Sequence, residues 1–515
     1  MKQKEKKRLL IFIVAYNAER HIESVLNRIP KNILKLYDYE ILIIDDSSID
    51  KTFEIAHEYH DINKELNLKI LFNPVNQGYG GNQKLGYEYA IQNEFEVVVL
   101  LHGDGQYAPE ILEDIICPLF TNEADAVLGS RMMIKGNALK GGMPRYKYYG
   151  NKTLTWIQNK LLGSSLSEFH SGYRAYSVST LKEIPFKRNS NDFHFDTQII
   201  IQLLLAGKII KEIPIPTYYG DEICHVDGLV YAWNVLRSTL GSKLHNLSIF
   251  YKREYDISKP MDKYPLKIGY SSSHTKAIEN VQENSQVLDI GGGQGLIAKE
   301  LKKKGCSVTG LDRCQLQFHD NYEAFYQEDL DFISFDFDLG KFDTILMLDI
   351  IEHIVSPEEF LDKLRAKTGL NEPKIIVTTP NIAFWITRLQ LMFGQFNYGK
   401  QGILDMTHKR LFTFKTMKKL FAQCSYEVIK VKGIVAPYPK AIGLNFISKF
   451  LIELNNLLIW FSKSLFSYQI YMEVKPTPVV KILLDYSVLE SRKRKDLLKQ
   501  NSPSKIDISV VETEE

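Results

Sequence analysis

Short apolar runs alternate with longer amphipathic stretches through the first half of the chain. A short apolar run bounded by polar residues is typical of a buried β-strand, and such runs lie at 9–14, 41–44, 69–71, 97–101 and 126–128. Stretches whose apolar residues have helical spacing lie at 21–28, 51–60, 80–92 and 109–120. This alternation predicts an α/β fold built around a mostly parallel sheet.

A polar stretch rich in proline and serine interrupts the pattern at 256–275, and a second alternation follows it. Such a stretch predicts a linker, so we expect one domain at 1–255 and a second at 276–480. The apolar runs of the second domain lie at 287–290, 307–311, 344–348 and 374–378. The sequence therefore predicts two α/β domains in series.

Two local signals refine the second domain. Ser356, Pro357 and Glu359 form a helix-start pattern, with serine as N-cap and glutamate completing a capping box. The domain ends in an apolar extension, and the tail at 486–515 turns from basic to acidic, which predicts disorder.

Composition agrees with two folded domains. The chain has 515 residues, 44% hydrophobic and 24% charged, which is too long for one core and ordinary for folded protein. A net charge of +2 argues against general nucleic-acid binding, and five cysteines without CxxC pairing fit a reducing compartment. No stretch reaches the roughly 20 apolar residues of a spanning helix, and the run at 9–15 fits a first strand better than a signal peptide. We therefore expect a cytoplasmic protein, with peripheral contact at the inner face of the membrane.

Acidic residues follow two of the predicted strands in the first domain. Asp45 and Asp46 come after the run at 41–44, and His102-Gly103-Asp104 comes at the end of the run at 97–101. Strand ends of this kind open into the crevice where α/β sheets bind ligands. One acid can accept hydrogen bonds from a nucleobase or ribose, and another can hold Mg²⁺ or Mn²⁺ against a diphosphate. A helix cap or a solvated turn is the alternative for each acid alone.

The first domain carries seven motifs in a fixed order. They are VAYNAE (14–19), IDDSS (44–48), NQGYGGNQKLG (76–86), LHGDGQYAPE (101–110), LGSR (128–131), HSGYRAY (170–176) and IPIPT (213–217). Together they resemble family-two glycosyltransferases of the dolichol-phosphate mannose synthase type, which implies a GT-A-like fold and a GDP- or UDP-hexose donor. The resemblance implies that Tyr16 and Asp46 line the nucleoside pocket, with Asp45 and Gly103 beside them.

The resemblance also implies a metal site and phosphate contacts. Asp104 and Gln106 would belong to the metal site, and Arg131 and Arg145 would reach phosphates. The family's usual Asp-x-Asp motif has His102 in its first position here. Imidazole suits Mn²⁺ better than Mg²⁺, so the metal and the role of His102 as a ligand both stay open.

Two acceptors remain open for the first domain. A lipid phosphate is already anionic and needs cationic positioning, for which Arg145, Lys147 and Arg174 are candidates. A glycan hydroxyl needs a carboxylate base, for which Asp192 and Asp196 are candidates. The resemblance favours a polyprenyl phosphate, and the apolar segment 228–250 is a candidate for contact with the membrane surface, with a packed core helix as the alternative.

A glycine loop follows the first strand of the second domain, in VLDIGGGQG (287–295). Asp289 precedes Gly291, Gly293 and Gly295 in a D-x-G-x-G-x-G pattern, which differs from the dinucleotide loop GxGxxG. Further acids follow at strand ends or in later motifs, at Asp312, at Asp329 in QEDL and at Asp349 in FDTILMLDIIEHI. This set resembles class I methyltransferases with a Rossmann-like fold, and the resemblance implies S-adenosylmethionine as cofactor.

An acceptor site for the methyl group is suggested by histidines. His353 has an intrinsic pKa near neutrality and is a candidate general base, with a capping or packing role as the alternative. His408 and Asp405 are candidate acceptor contacts. The sequence thus predicts a bifunctional transferase that adds a hexose to a polyprenyl phosphate or glycan and methylates a glycan, lipid or small molecule. The alternative is one catalytic domain beside a degenerate binding module.

Overall fold

The computed structural model describes residues 6–218, 227–247, 249–257, 266–315 and 319–500. The chain forms two compact units, Met1–Asp262 and Lys263–Glu515. Within the described residues, each unit contains one seven-stranded sheet flanked by helices.

The first unit is built on a mostly parallel sheet. Its strands are β1 (Arg8–Ala15), β2 (Asp38–Asp45), β3 (Leu68–Phe72), β4 (Val97–His102), β5 (Ala126–Ser130), β6 (Arg174–Ser177) and β7 (Ile210–Pro214). They lie in the order β3-β2-β1-β4-β6-β5-β7, and only β6 runs antiparallel to its neighbours. From β1 the chain passes to β2 and β3 on one side and then crosses to β4 on the other, so a topological switch point lies between β1 and β4.

Helices cover both faces of this sheet. They are α1 (Ile22–Asn27), α2 (Lys31–Leu36), α3 (Thr52–Ile62), α4 (Tyr79–Gln92), α5 (Leu112–Phe120), α6 (Asn137–Lys140), α7 (Arg145–Leu162), α8 (Val178–Glu183), α9 (Phe195–Leu205) and α10 (Gly228–Asn246). Along β1 the side chains alternate between two hydrophobic clusters, with Ile11 and Ile13 in one and Leu10 and Phe12 in the other. Burial on both faces explains why the central strands read as continuous apolar runs.

The second unit has a parallel core with an antiparallel edge. Its strands are β8 (Gln286–Ile290), β9 (Ser307–Asp312), β10 (Ala324–Gln327), β11 (Thr344–Leu348), β12 (Lys374–Pro380), β13 (Tyr426–Ile434) and β14 (Gln469–Pro476). Their order is β10-β9-β8-β11-β12-β14-β13, in which β14 is antiparallel to both β12 and β13. The switch point lies between β8 and β11.

Nine helices belong to the described part of the second unit. They are α11 (Ser273–Asn280), α12 (Leu296–Lys302), α13 (Pro357–Lys367), α14 (Trp385–Met392), α15 (Phe414–Gln423), α16 (Tyr438–Ile442), α17 (Phe446–Phe461), α18 (Lys463–Phe466) and α19 (Val480–Gln500). Two hydrophobic clusters fill the space on the two sides of the sheet. Neighbouring residues of β11 belong to different clusters, Ile345 to one and Leu346 to the other.

Three details differ from the sequence expectations. Residues 266–275 of the expected linker belong to the second unit, because Lys267 and Ser273 contact Asp349 there. The helix at Pro357 begins as predicted, but the Ser356 side chain makes no capping hydrogen bond. Disorder from residue 486 is wrong as far as residue 500, since α19 continues to Gln500, and residues 501–515 lie outside the described residues.

Among the described residues, none of the helices combines the length and the apolar character needed to cross a bilayer.

A close contact between α4 and β1 gives a test of the first unit. A Cβ added to Gly86 would overlap the Phe12 ring, whereas a Cβ on Gly150 in α7 would meet nothing within 4 Å. We expect Gly86→Ala to destabilise the unit by about 1–3 kcal/mol, and Gly150→Ala to change stability by no more than about 1 kcal/mol. Calorimetric unfolding of the full chain measures both. An unchanged midpoint for Gly86→Ala would show that the packing of α4 on β1 is wrong.

Candidate functional site

The carboxyl ends of three adjacent strands of the first unit bring the expected nucleotide residues to one edge of the sheet. Ala15 of β1 pairs with Asp45 of β2, and Val14 pairs with His102 of β4. Asp46 and Gly103 continue these strands, with Asp46 N–H donating to the Ala15 carbonyl and Gly103 N–H to the Val14 carbonyl. Tyr16 follows β1 with 44% of its surface exposed.

Asp45 and Asp46 are both buried but differ in their partners. The Asp46 carboxylate accepts from the Asn73 side chain and from the Gln77 backbone N–H, each at 2.8 Å. Asp45 accepts the Ser48 backbone N–H through Oδ1, whereas its buried Oδ2 has no hydrogen-bond partner. Burial raises the pKa of Asp45. The unpartnered Oδ2 of Asp45 can accept a hydrogen bond from a ligand N–H or O–H.

His102 lies at the end of a chain of hydrogen bonds instead of standing free beside Asp104. Its Nε2 lies 3.1 Å from the Tyr79 hydroxyl, which donates to Asp196 Oδ2 at 3.1 Å. Because the Tyr79 proton goes to Asp196, His102 Nε2–H is the donor to Tyr79. Burial lowers the pKa of His102, which favours the neutral ring.

Arg174 and Asp196 form a buried pair. Arg174 is fully buried, lies 3.4 Å from the Asp196 carboxylate, and donates to the backbone carbonyls of Phe169, Ser171 and Asp196. Asp196 is 6% exposed and also accepts from Gln83. This pair joins the segment before β6 to the start of α9. Its placement differs from the expected contact of Arg174 with a phosphate and from the expected role of Asp196 as a base.

The remaining residues of the first site have different surroundings. Arg131 is buried and paired with Glu168. Asp104 and Gln106 are partly exposed, and the Gln106 backbone N–H donates to Asp104 Oδ1 at 3.0 Å. Arg145 is exposed at the first position of α7. Of Arg131, Arg145 and Arg174, Arg145 is therefore the exposed residue.

In the second unit the glycine loop joins β8 to α12. Gly291, Gly293 and Gly295 all have positive φ, at 73°, 53° and 74°. L side chains adopt such backbone rarely, which explains the glycines. A Cβ on Gly291 would overlap the Ile350 side chain, whereas a Cβ on Gly293 would meet nothing within 4 Å. Open space therefore lies beside Gly293.

A buried acid, Asp289, lies near the end of β8, directly before this loop. Asp289 is 1% exposed and accepts a hydrogen bond from the Tyr322 hydroxyl at 3.1 Å. Burial raises its pKa to about 7, and the nearby Asp312 carboxylate adds to the shift, while the Tyr322 bond opposes it. Asp312 ends β9 and accepts from the backbone N–H groups of Gly293 and Cys314, at 2.9 and 2.8 Å.

Asp329 and Asp349 have unlike settings. Asp329 is exposed and accepts the Asp331 backbone N–H. Asp349 has a φ of 55° and accepts from the side chains of Thr378 at 2.7 Å and Gln469 at 2.8 Å. Lys267, His274 and these hydrogen bonds lower its pKa against the effect of burial.

A third group of polar side chains follows β11. Ligand atoms of Glu352, His353 and His408 lie within 4.8 Å of one another. The glutamate is buried and the two histidines are partly exposed. Burial raises the pKa of Glu352 well above its usual value. The predicted acceptor contact Asp405 instead shapes the local turn, accepting from Thr407 N–H and Oγ1.

Comparison with known proteins identifies the first unit. A model of glycosyl transferase family 2 matches residues 10–184. A UDP-N-acetylglucosamine–dolichyl-phosphate N-acetylglucosaminyltransferase of Methanococcus voltae is 30% identical over 226 residues, which are 42% of this chain and 87% of that protein. The chain belongs to glycosyl transferase family 2. An undecaprenyl-phosphate mannosyltransferase of Micrococcus luteus is 26% identical and covers 45% of this chain and 99% of its own.

The second unit has its own match. A family model described as a methyltransferase domain matches residues 269–431. Both domains are transferase domains, and the predicted order of a GT-A-like and a Rossmann-like α/β fold is confirmed. Among solved structures, glucosyl-3-phosphoglycerate synthase from Mycobacterium tuberculosis bound to uridine diphosphate is similar at 19% identity and a TM-score of 0.35, covering 45% of this chain and 79% of that one.

Several residues at these sites were not identified as functional from the sequence. Tyr79 lies inside the NQGYGG motif and Glu352 inside IIEHI, so the motifs located both residues but did not indicate what they contact. Tyr322 and Gln469 stand in no recognisable motif, and their contacts with Asp289 and Asp349 depend on the tertiary fold.

The pKa of Asp289 predicts how the stability of the methyltransferase unit depends on pH. Because the folded pKa, about 7, exceeds the unfolded value, 3.8, the folded unit binds more protons between these values. Stability should therefore fall as pH rises from about 4 to 7, by at most about 4 kcal/mol. Asp289→Asn, which cannot ionise, should remove much of this fall.

Thermal unfolding of the full chain at pH 5 and pH 8 measures the difference. The matched control is Asp320→Asn, which changes an exposed acid of the same unit and should keep the wild-type pH dependence. Equal pH dependence in Asp289→Asn and the wild type would contradict the raised pKa.

Proposed function

We propose that this protein is a bifunctional transferase. Its first unit transfers a hexose from a GDP- or UDP-sugar to a polyprenyl phosphate, and its second unit transfers a methyl group from S-adenosylmethionine to a glycan or lipid acceptor. The main support for hexosyl transfer is the position of four residues at the carboxyl ends of adjacent strands of the first sheet: Tyr16, Asp45, Asp46 and Asp104. Relatives that use dolichyl and undecaprenyl phosphates support the lipid acceptor.

In the first unit, Asp45 and Asp46 would bind the nucleoside. Asp46 is held by Asn73 and Gln77, so its position is set before the ligand arrives. The unpartnered Oδ2 of Asp45 would accept from a nucleobase N–H or ribose hydroxyl. Tyr16, exposed at the same edge, would stack on the base.

A divalent cation fits Asp104. Asp104 is partly exposed, with Gln106 next to it, so its carboxylate is open to a hard cation. His102 Nε2 donates to Tyr79, so Nδ1 is the nitrogen of His102 that keeps a lone pair for a cation. A bound Mg²⁺ or Mn²⁺ would neutralise charge on the leaving diphosphate. Arg145, exposed at the start of α7, would attract the acceptor phosphate through its charge and the helix N-terminus.

The acceptor needs no general base in this proposal. A phosphate oxygen is ionised at neutral pH, so positioning suffices. Asp196 is committed to Arg174, Gln83 and Tyr79 inside the unit. We therefore assign the Asp196–Tyr79–His102 chain to fixing the end of β4, and we favour a lipid phosphate over a glycan hydroxyl.

In the second unit, the glycine loop fits a methyl donor of the sulfonium type. The open space beside Gly293 lets a ligand approach the backbone. Asp312 stands at the end of β9, where an acid would bind ribose hydroxyls. Asp329 is exposed on the following segment, where it would reach the adenine, and Asp349 is held at the end of β11 next to the loop. S-adenosylmethionine would supply an activated methyl group.

Contact with a membrane surface is supported by two packed helices. α10 packs on α7, and its buried side is made of small or polar residues such as Ser238, Thr239 and Gly241. Its exposed side carries large apolar residues, and α7 adds exposed aromatic ones: Leu229, Trp233, Leu240, Tyr146, Tyr149 and Trp156. A core helix would bury the large residues and expose the polar ones, so this pattern favours an interfacial role.

Paired substitutions separate the two activities. Asp104→Ala should lower hexosyl transfer by at least about 100-fold and leave methyl transfer intact. Gly293→Asp should place a carboxylate in the space proposed for the donor, abolish S-adenosylmethionine binding in calorimetry and spare hexosyl transfer. Assays use the full chain with polyprenyl phosphate and sugar nucleotides.

Gly369→Asp is the control for backbone strain, because Gly369 also has positive φ and open space around a Cβ. It should retain cofactor binding. Loss of binding in both glycine variants, or in neither, would refute the donor site at Gly293. A fully active Asp104→Ala enzyme would refute the first site.

The apolar face predicts membrane affinity. Trp156→Ser combined with Trp233→Ser should weaken binding to phosphatidylglycerol vesicles by at least about tenfold, since exposed tryptophans favour the interface. The control is Ile49→Ser combined with Ile62→Ser, which removes exposed apolar side chains elsewhere on the unit. Equal vesicle binding by both double variants would exclude α7 and α10 as the contact.

A further inference from the structure

The group Glu352, His353 and His408 is assembled by two segments that are distant in sequence. Glu352 and His353 belong to the turn after β11. The loop that carries His408 is attached to this turn through backbone hydrogen bonds, because the N–H groups of Lys409 and Arg410 donate to the Glu352 carbonyl at 2.7 and 3.1 Å. The two imidazole rings stand 4.8 Å apart, centroid to centroid.

Both rings are oriented by backbone carbonyls. His353 Nδ1 lies 3.2 Å from the Thr407 carbonyl oxygen, and His408 Nδ1 lies 3.0 Å from that of Ile403. A carbonyl can only accept, so each Nδ1 carries the proton and each Nε2 keeps its lone pair. This is the arrangement that orients metal-binding histidines, whose second nitrogen donates to a carbonyl or carboxylate.

The carboxylate of the group lacks a hydrogen-bond partner of its own. Glu352 is 1% exposed, and neither of its side-chain oxygens has a hydrogen-bond partner. An unpartnered buried carboxylate costs free energy, which a bound cation would offset. The partly exposed histidines leave an approach from solvent.

The group also lies beside the glycine loop. The Ile350 side chain, two residues before Glu352, packs against the backbone of Gly291. β11, which leads into the turn, is the neighbour of β8 in the sheet. The cluster thus stands at the same sheet edge as the proposed methyl-donor site.

We propose that Glu352, His353 and His408 bind one divalent transition-metal cation on the acceptor side of the methyltransferase site. Two imidazoles and one carboxylate suit cations such as Zn²⁺ or Mn²⁺ better than Mg²⁺ or Ca²⁺. Three protein ligands leave at least one coordination position for another group. This assignment gives His353 the role of a ligand in place of the general base predicted from its sequence position.

The role of the cation rests on the proposed methyl transfer, whereas its binding does not. A cation here would lower the pKa of an acceptor hydroxyl. In the transfer, the hydroxyl proton leaves to water, and the acceptor oxygen forms a bond to the methyl carbon as the carbon–sulfur bond breaks. The sulfonium becomes a neutral thioether, so charge and atoms balance.

Metal binding is measured on the full chain after removal of metals with a chelator. Titration with Zn²⁺ or Mn²⁺ in a calorimeter should show one site, and Co²⁺ should give visible absorption bands of an imidazole-bound ion. His408→Ala and Glu352→Gln should each weaken binding at least tenfold, whereas Lys409→Ala, an exposed neighbour, should bind as the wild type does. Glu352→Gln keeps the shape of the buried side chain, so it separates loss of a ligand from loss of the fold.

Metal binding and methyl transfer are measured separately, so either can fail without the other. Absence of a site in the wild type, or equal affinity in all variants, would overturn the metal site even if S-adenosylmethionine binds. Metal binding that depends on His408 and Glu352 supports the site even if no methyl transfer is found. In an active enzyme, His408→Ala should keep S-adenosylmethionine affinity while losing methyl transfer.

Discussion

Buried polar groups must find partners, and this constraint organises both units. In the first unit the buried Arg174 is satisfied by Asp196 and three backbone carbonyls. Asp196 in turn holds Tyr79 and, through it, His102 at the end of β4. In the second unit Asp349 is satisfied by Thr378 and Gln469 in the same way. These saturated networks are expensive to break, so they fix the loops at the sheet edge without being free to bind a substrate.

Several buried side-chain atoms lack a hydrogen-bond partner, and three of them belong to acids that follow strands: Asp45 Oδ2 and both carboxylate oxygens of Glu352. Asp45 ends β2, the strand beside β1, and Glu352 follows β11, which borders the switch point of the second sheet. A missing partner at the place where such sheets bind ligands is best explained by a ligand. A search for exposed charged residues alone would not have selected these two buried acids.

The sequence predicts what depends on local pattern and misses what depends on assembly. Buried parallel strands are apolar throughout, so the central strands and the acids after them could be placed from the chain alone. The antiparallel β14 could not, because it lies in an apolar region broken by polar residues. In α17 the pattern is inverted: Asn455 is buried and bonds the backbone at Ala436 and Phe466, while Phe446 and Trp460 are exposed. Likewise, the sequence shows that Arg174 is charged, but only the fold shows that this charge is paired with Asp196.

The histidine in the glycosyltransferase motif changes the electrostatics of the first site relative to the family's two acids. A neutral His102, bonded to Tyr79, contributes no charge toward a cation. Asp104 alone offers one carboxylate, which is a weak site for a hard cation that prefers several oxygen ligands. The missing ligands would then come from the diphosphate of the donor, so cation and sugar nucleotide would bind together. The proposed site at Glu352, His353 and His408 would need no such help, because the protein would supply three ligands from two segments joined by backbone hydrogen bonds. Under these proposals the two units would bind metals by different physical means, one through the substrate's charge and the other through the fold.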